Sequence, residues 1–403
     1  MEIAETAEET SLHVSRRAGF SKVWIALSAF VCCLVLLAAA VELLSFAALS
    51  SIAFLHRHDD EAPMEHPYYQ KMAWWKDYWK EWAVSNQMQY LPYVIWRRAP
   101  YTGKYINIDA AGLRRTVNPN CAPGATRIWM FGDSTLWGSG SRDENTIPSI
   151  LAAEYARTIG PVCVTNFGES GWVNTQEVIQ LELALKQAPA PPDLVIFYDG
   201  FADAFMHYQS DMVDSHQNFE HIRTLMEAHK QKHSNFEYIK QTNTYRFINY
   251  VTGRFASLKG ESSPAASLPQ LDQRAQTAAR NYVMNMKLVQ ALSQRYGFQY
   301  VAFWTPAISL GHKPLTAHEK ELRLSMDKTM PGMAQLLQTT NSQVFSAGDP
   351  HMINLSDLFD GVDRDLYLDS AHVTEEGNGL VAVRILEELK KSGTVSKLGR
   401  GTQ

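Results

Sequence analysis

Four short apolar runs constrain the fold more than any other feature: Ile128–Phe131, Val162–Phe167, Asp193–Tyr198 and Gln299–Trp304. Each has the length of a buried strand, and helical patterns separate them at Thr146–Arg157, Asn174–Lys186 and Gln273–Tyr296. Pro148 is tolerated in the first turn of one helix, and Asn174 is a plausible cap of the next. Strand alternating with helix at this spacing predicts an α/β fold with a parallel, doubly wound sheet and right-handed crossovers. Further on, the pattern is helical over Ala317–Asn341 with a break at Pro331-Gly332, and Gln343–Ser346 reads as a fifth strand. Thr374–Lys391 closes as a helix that packs Leu380, Val383, Ile385 and Leu386. A chain of 403 residues, 45% hydrophobic, can bury one large core plus accessories.

The first run stops at Gly132, and Asp133-Ser134-Thr135 follow where a helix can begin. A serine there points off the carboxyl end of a strand, where open α/β sheets bind ligands and a helix dipole favours negative charge. It becomes a nucleophile only with a base, and the base needs an orienting group. Asp369 and His372, three residues apart before the last helix, supply both types. Taken singly, Ser134 reads as a helix cap and the Asp369/His372 pair as a capped turn.

Together these residues resemble the SGNH (GDSL-like) hydrolase family. Gly132-Asp133-Ser134 match its first block, Thr165–Trp172 its second, and Asp369-x-x-His372 its last. The resemblance implies a flavodoxin-like doubly wound sheet and a Ser134–His372–Asp369 triad. It implies an oxyanion hole built from the Ser134 and Gly171 N–H groups, with Gly132 and Asp133 supporting the turn. The third block falls on Gly200-Phe201-Ala202-Asp203, with Ala202 at the asparagine position. Losing one oxyanion donor costs roughly 2.7–4 kcal/mol, so another group must serve; Asn174, Asn166 and Tyr198 are candidates. No cofactor and no metal are implied. Membrane-anchored bacterial relatives act in exopolysaccharide O-acetylation, which implies an esterase for O-acyl, chiefly O-acetyl, groups of an extracytoplasmic carbohydrate. The alternatives are an O-acetyltransferase using the same triad and a non-catalytic glycan-binding scaffold. Polysaccharide-synthesis membrane proteins are the implied partners.

Val23–Val41 contains no charged residue, and its nineteen residues rise about 28 Å as a helix, close to a hydrocarbon core of about 30 Å. Arg16, Arg17 and Lys22 precede it, whereas Asp59, Asp60 and Glu61 follow. The charge asymmetry predicts a cytoplasmic N-terminus and an exported remainder. A cleaved signal peptide, with Ser45-Phe46-Ala47 at the cut, is the other reading. Glu42 is expected near the outer interface, or facing a partner helix. The expected divisions are a cytoplasmic tail at 1–22 whose first thirteen residues are disordered, an anchor at 23–55, and an aromatic-rich segment at 56–120. The hydrolase-like domain spans 121–392 with an insertion at about 201–271, and 393–403 form a loose tail. A net charge of -5 without a long basic run excludes nucleic acid as a partner.

Four cysteines support no disulfide framework: Cys32 and Cys33 lie in the apolar helix, while Cys121 and Cys163 read as separate thiols, with a bridge between adjacent strands as the alternative. The insertion carries His207, His216, His221, His229 and His233 at spacings that fit no metal motif, so they read as solvated helix histidines. It emerges beside Ser134 and could form a lid, with Gly260–Pro264 as an exposed loop. The WWKDYWKEW stretch from Trp74 could pack the sheet domain, lie at a membrane interface or stack on sugars. Tyr101–Thr116 suggests a hairpin turning near Ala110-Ala111-Gly112.

Overall fold

The structure, a computed structural model, describes residues 2–56, 66–119, 121–210, 212, 214–217, 219–230, 239–258 and 268–395. In chain order they form α1 (Glu2–His56), α2 (Trp75–Ser85), β1 (Met88–Leu91), β2 (Ile95–Arg98), β3 (Tyr101–Thr102) and β4 (Asn107–Ile108). There follow β5 (Thr126–Gly132), α3 (Ser134–Trp137), α4 (Ile147–Thr158), β6 (Val162–Asn166), α5 (Asn174–Gln187) and β7 (Leu194–Asp199). Then come α6 (Phe201–Gln209), α7 (Phe219–Lys230), α8 (Asn243–Leu258), α9 (Leu268–Tyr296) and β8 (Gln299–Trp304). The chain closes with α10 (Ala317–Thr329), α11 (Met333–Phe345), β9 (Met352–Asn354) and α12 (Glu375–Lys391). It divides into two compact units, Met1–Ala62 with Arg223–Pro264 and Pro63–Ile222 with Ala265–Gln403.

In the first unit, Trp24–Ile52 of α1 is long and apolar enough to cross a membrane, with a mean hydropathy of 2.6. The helix starts at Glu2, which corrects the expectation of disorder over the first thirteen residues. Alanine and glutamate dominate that stretch, and both propagate a helix already nucleated by the apolar span. Glu42 faces another helix, the alternative expected for it. Its carboxylate accepts from the backbone N–H groups of Asn243 (2.5 Å) and Thr244 (3.0 Å), and from their side chains at 2.9 and 2.8 Å. It thereby caps α8, satisfying N–H groups that a helix start leaves open and placing an anion at the positive end of the dipole. The predicted Gly260–Pro264 loop lies outside the described residues.

The second unit is built on one five-stranded parallel sheet of order β6-β5-β7-β8-β9, the doubly wound arrangement expected. Every residue of the central β7 is buried, which explains its unbroken apolar run. Helices α4 and α12 pack together in one layer, and α9 gathers α5, α6 and α11 in another. Gly332 (φ +87°) separates α10 from α11, as Pro331-Gly332 predicts. The fifth strand is not Gln343–Ser346. Gln343–Phe345 end α11 and Ser346 is its C-cap; the face of α11 buries Leu336, Leu337, Thr340 and Val344 at helical spacing, and the strand forms at Met352–Asn354, after Gly348.

Cys121 and Cys163 form a disulfide with Cα atoms 4.7 Å apart, so the expectation of separate thiols is corrected. Cys163 lies on edge strand β6, and the segment entering β5 brings Cys121 alongside it. The aromatic segment packs: Trp75, Tyr78 and Trp79 of α2 are buried with Tyr69, Tyr105 and Ile106, and Trp137 of α3 completes their cluster. The β3–β4 hairpin turns over 103–106, not near Ala110-Ala111-Gly112; that stretch makes a second, tighter turn closed by the Ile108–Arg114 bridge, with Gly112 at φ +78°, where a side chain would strike the Arg98 carbonyl and the Arg97 stem. His207 is also corrected: it is buried on α6, with Nδ1 2.9 Å from the Asp203 carbonyl, and is not a solvated helix histidine.

Candidate functional site

β5 delivers its last residue, Gly132, so close to β7 that an added Cβ would sit 2.2 Å from the Tyr198 carbonyl and 2.7 Å from Leu136 Cβ. Only glycine lets the chain turn there into α3. Asp133 caps that turn: its Oδ1 accepts from the Thr135 N–H at 2.7 Å and the Thr135 hydroxyl at 2.6 Å. Burial raises the Asp133 pKa, while these bonds and one from the Ala202 backbone oppose the rise. Ser134 therefore begins a capped helical turn that ends at Gly138 (φ +94°).

The second half of the site forms between β9 and α12. Tyr367 bridges Val373, and the Leu368 N–H donates to the His372 carbonyl, which closes a narrow loop. Inside it, Asp369 Oδ1 accepts the backbone N–H groups of Ala371 and His372, both at 2.8 Å. Asp369 Oδ2 lies 2.6 Å from His372 Nδ1, and His372 Nε2 lies 2.7 Å from Ser134 Oγ. The three residues singled out from opposite ends of the sequence thus form one hydrogen-bonded chain. Burial works against charge on His372, but the adjacent Asp369 carboxylate outweighs it and leaves the imidazole pKa above its ordinary value. For Asp369, whose side chain stays half exposed, the loss of part of its solvation pushes up, yet His372 and the loop N–H groups hold its pKa below the usual range.

Residues that sequence reasoning passed over hold these halves together. Arg142 donates from its backbone N–H and from Nε to Glu375 Oε1, each at 2.9 Å, and from Nη2 to Oε2 at 2.8 Å. Glu375 is the first residue of α12, so this fork ties the segment after Ser134 to the helix after His372. Asn378 adds bonds to Ser141 Oγ and the Asn145 carbonyl. Trp137, three residues after Ser134, lies between two guanidiniums, Arg98 at 3.5 Å and Arg114 at 4.2 Å. Arg98 also faces Glu169, which accepts the Arg98 and Ser170 backbone N–H groups at 2.8 Å. Two arginines at the end of a short strand, in IWRR, are the one trace of this in the sequence.

Arg114 donates to Asp143 Oδ1 at 3.1 Å and to the Gly138 and Ser141 carbonyls at 2.8 and 2.6 Å, all buried. Replacing Asp143 with alanine leaves that guanidinium without a counterion. Chemical unfolding of the full chain in detergent should show a loss of roughly 3–5 kcal/mol, the usual cost of breaking a buried pair.

Of the proposed oxyanion groups, Gly171 occupies a left-handed turn at φ +76° after β6. An added Cβ there would stand 3.2 Å from the Gln217 side-chain oxygen. Asn174 is neither cap nor free donor. Val173 is the N-cap, and the Asn174 amide donates to Asp199 Oδ2 at 2.7 Å. Asn166 is likewise engaged, donating to the Leu136 carbonyl and accepting from the Gly168 N–H. Tyr198 is buried within β7. Among the described residues no group of three or more His, Cys, Asp or Glu could hold a metal ion.

Beneath the site, Glu177, Asp199 and Asp203 are all buried. Burial raises all three, Asp199 to about 6 and the other two well above the carboxylate range, and their mutual repulsion adds to the rise in Glu177 and Asp203. Neither Glu177 oxygen has a hydrogen-bond partner among the described residues as an anion, whereas a proton there gives it a hydrogen to donate to Asp199. Carboxyls with raised folded pKa values stabilise most at low pH, and that stability is lost as pH rises from their unfolded values near 4 through the folded ones. Glu177→Gln keeps the donor and removes the titration. Between pH 5 and 8 the wild-type Tm should fall relative to that variant, by on the order of 5 °C, in calorimetry of the full chain.

Comparison with known proteins places these observations among relatives. The profile of the family described as GDSL-like Lipase/Acylhydrolase matches residues 128–385. No curated protein matches. Among solved structures, a member of the lipolytic protein G-D-S-L family from Veillonella parvula DSM 2008 is similar at 14% identity, with 65% of this chain and 97% of that one covered and a TM-score of 0.36. The acetylxylan esterase Axe2 from Geobacillus stearothermophilus is similar at 12% identity, covering 66% and 94%, with a TM-score of 0.32. The psychrotrophic esterase EstA from Pseudoalteromonas sp. is also similar, at 12% identity, 66% and 97% coverage and a TM-score of 0.32.

Proposed function

This chain belongs to the GDSL-like lipase/acylhydrolase family, whose chemistry is ester hydrolysis, and on that premise we propose a serine esterase that removes O-acyl, chiefly O-acetyl, groups from a carbohydrate outside the cytoplasm. The observation that carries this reading is the continuous chain from Ser134 Oγ to His372 Nε2 (2.7 Å) and from His372 Nδ1 to Asp369 (2.6 Å). His372 takes the hydroxyl proton as Ser134 attacks the ester carbonyl, then returns it to the departing sugar oxygen. Asp369 keeps the imidazole in the tautomer with Nε2 free to accept and stabilises the imidazolium. The N–H groups of Ser134 and Gly171 face the oxyanion. Water then attacks the acyl-enzyme, with His372 again the base.

Three features support this location. Trp24–Ile52 suits a membrane span, and basic residues precede it while Asp59, Asp60 and Glu61 follow, which favours export of the remainder. The Cys121–Cys163 disulfide suits an oxidising compartment. The test is partition of the acyl group. The full chain in nanodiscs is given an acetylated xylo-oligosaccharide, and acetate release is measured beside acetyl transfer to an unacetylated acceptor. Free acetate as the main product, absent with Ser134→Ala, supports the esterase. Transfer in preference to water would replace it with an acetyltransferase, and binding without either product would leave a glycan-binding scaffold.

A further inference from the structure

A cleft of about 570 Å³ opens where the tip of the β1–β2 hairpin lies against α5, a volume within the range that holds small ligands. Its floor is aromatic, formed by Trp129 of β5 and Phe167 at the end of β6. One wall is a single face of α5: Gln180, Leu183, Ala184 and Gln187 follow one another at helical spacing, so the apolar pair lies between two amides. Neither amide has a hydrogen-bond partner among the described residues. At the rim stands Tyr93, 72% exposed.

The hairpin tip is strained. The Val94 N–H bonds the Pro92 carbonyl and the Trp96 N–H bonds the Val94 carbonyl, both at 2.9 Å, closing two successive three-residue turns. Their central residues, Tyr93 and Ile95, have φ +71° and +73°, the uncommon form of this turn for an L-residue. Such strain persists where the surroundings over-determine it, and it clusters at ligand clamps. Here it aims an aromatic ring at the cleft mouth.

We propose that this cleft is a second, non-catalytic binding site for a neutral sugar chain, with Tyr93 and Trp129 as ring platforms and Gln180 and Gln187 reading the hydroxyl edges. A pyranose offers apolar C–H faces to aromatic surfaces and needs both donors and acceptors at its edges, which an amide supplies in one group. Among the described residues lining the cleft only Arg97 is charged; it is 1% exposed, its guanidinium stacks 4.4 Å over Trp172 and its Nη2 donates to the Phe167 carbonyl at 3.2 Å. The hairpin is also stitched to the loop that carries Gly171. Trp96 donates to the Ser170 carbonyl, Trp172 to the Trp96 carbonyl, and Gln176 to the Val94 carbonyl, at 2.9, 3.0 and 2.7 Å. A chain held in the cleft therefore bears on the same loop as the reacting ester. This inference deepens the carbohydrate reading above and rests on it.

The test uses the full chain carrying Ser134→Ala in nanodiscs, with cellotetraose, xylotetraose and chitotetraose as probes in saturation-transfer NMR and tryptophan fluorescence titration. At least one tetrasaccharide should bind. The double variant Gln180→Ala/Gln187→Ala should weaken it about tenfold, equivalent to about 1.4 kcal/mol. Tyr93→Gly should weaken binding similarly while raising Tm, because glycine accepts the left-handed turn; lost binding then cannot be misfolding. On a Ser134 background, these variants should leave turnover of a small activated acetate ester unchanged. If no tetrasaccharide binds, if the variants leave affinity intact, or if octanol displaces the sugar at equal concentration, the inference is overturned. Ester turnover without sugar binding would remove this inference alone, and sugar binding without ester turnover would remove the esterase reading alone.

Discussion

Replacing Ser134 with alanine is expected to lower the turnover of an activated acetate ester by roughly a millionfold, the scale on which a serine triad loses its nucleophile. The fold should survive. Ser134 opens α3 through its backbone, whose carbonyl accepts from Gly138 and Ser139, while the cap belongs to Asp133. Alanine is a good helix former at such a position. Any remaining rate would reflect oxyanion donors and binding alone, and a serine-directed phosphonate should no longer label the chain. The measurement is a progress curve with matched circular dichroism spectra. Unchanged turnover would remove the catalytic account while leaving the family assignment intact.

Asp369→Asn is the next largest expected effect. The amide keeps an oxygen for the Ala371 and His372 N–H groups, so the loop should hold. It cannot favour the Nδ1–H tautomer or stabilise the imidazolium. In a buried triad this costs about 10⁴-fold. The Asp369 side chain is 52% exposed, so solvent shares its role, and a loss between about 100- and 10,000-fold is expected. The pH profile carries the sign. His372 must be neutral to accept the serine proton, so activity rises as pH passes its pKa. In the wild type that limb lies above the ordinary histidine value of about 6.5, because Asp369 favours the charged form. In the variant the limb should move to lower pH, even as the plateau falls. An unmoved limb would mean that another group titrates.

Most of the sheet could be read from the chain because its strands are buried on both faces and leave continuous apolar runs, as in β7. The last strand could not, since β9 is three residues long at the sheet edge and the stronger helical pattern over Gln343–Phe345 obscured where it starts. The disulfide stood only as the alternative to separate thiols, for a different reason. Cys121 precedes its strand, and only the alignment of that segment beside β6 brings it within reach of Cys163. Glu42 was expected at the outer interface or against a partner helix, and the partners that hold it lie some two hundred residues away along the chain.

For the site, the sequence by itself determined the local chemistry. Gly132-Asp133-Ser134 is a capped strand-to-helix turn, and Asp369-x-x-His372 is a loop whose carboxylate meets its own imidazole, because both are short-range geometries. Tertiary structure alone decided that Ser134 and His372 stand 2.7 Å apart. That distance is set by the Arg142–Glu375 fork, the Asn378 bonds and the two guanidiniums enclosing Trp137. Charged side chains choose partners by proximity in the folded state, and proximity between distant residues leaves no periodic mark along a chain.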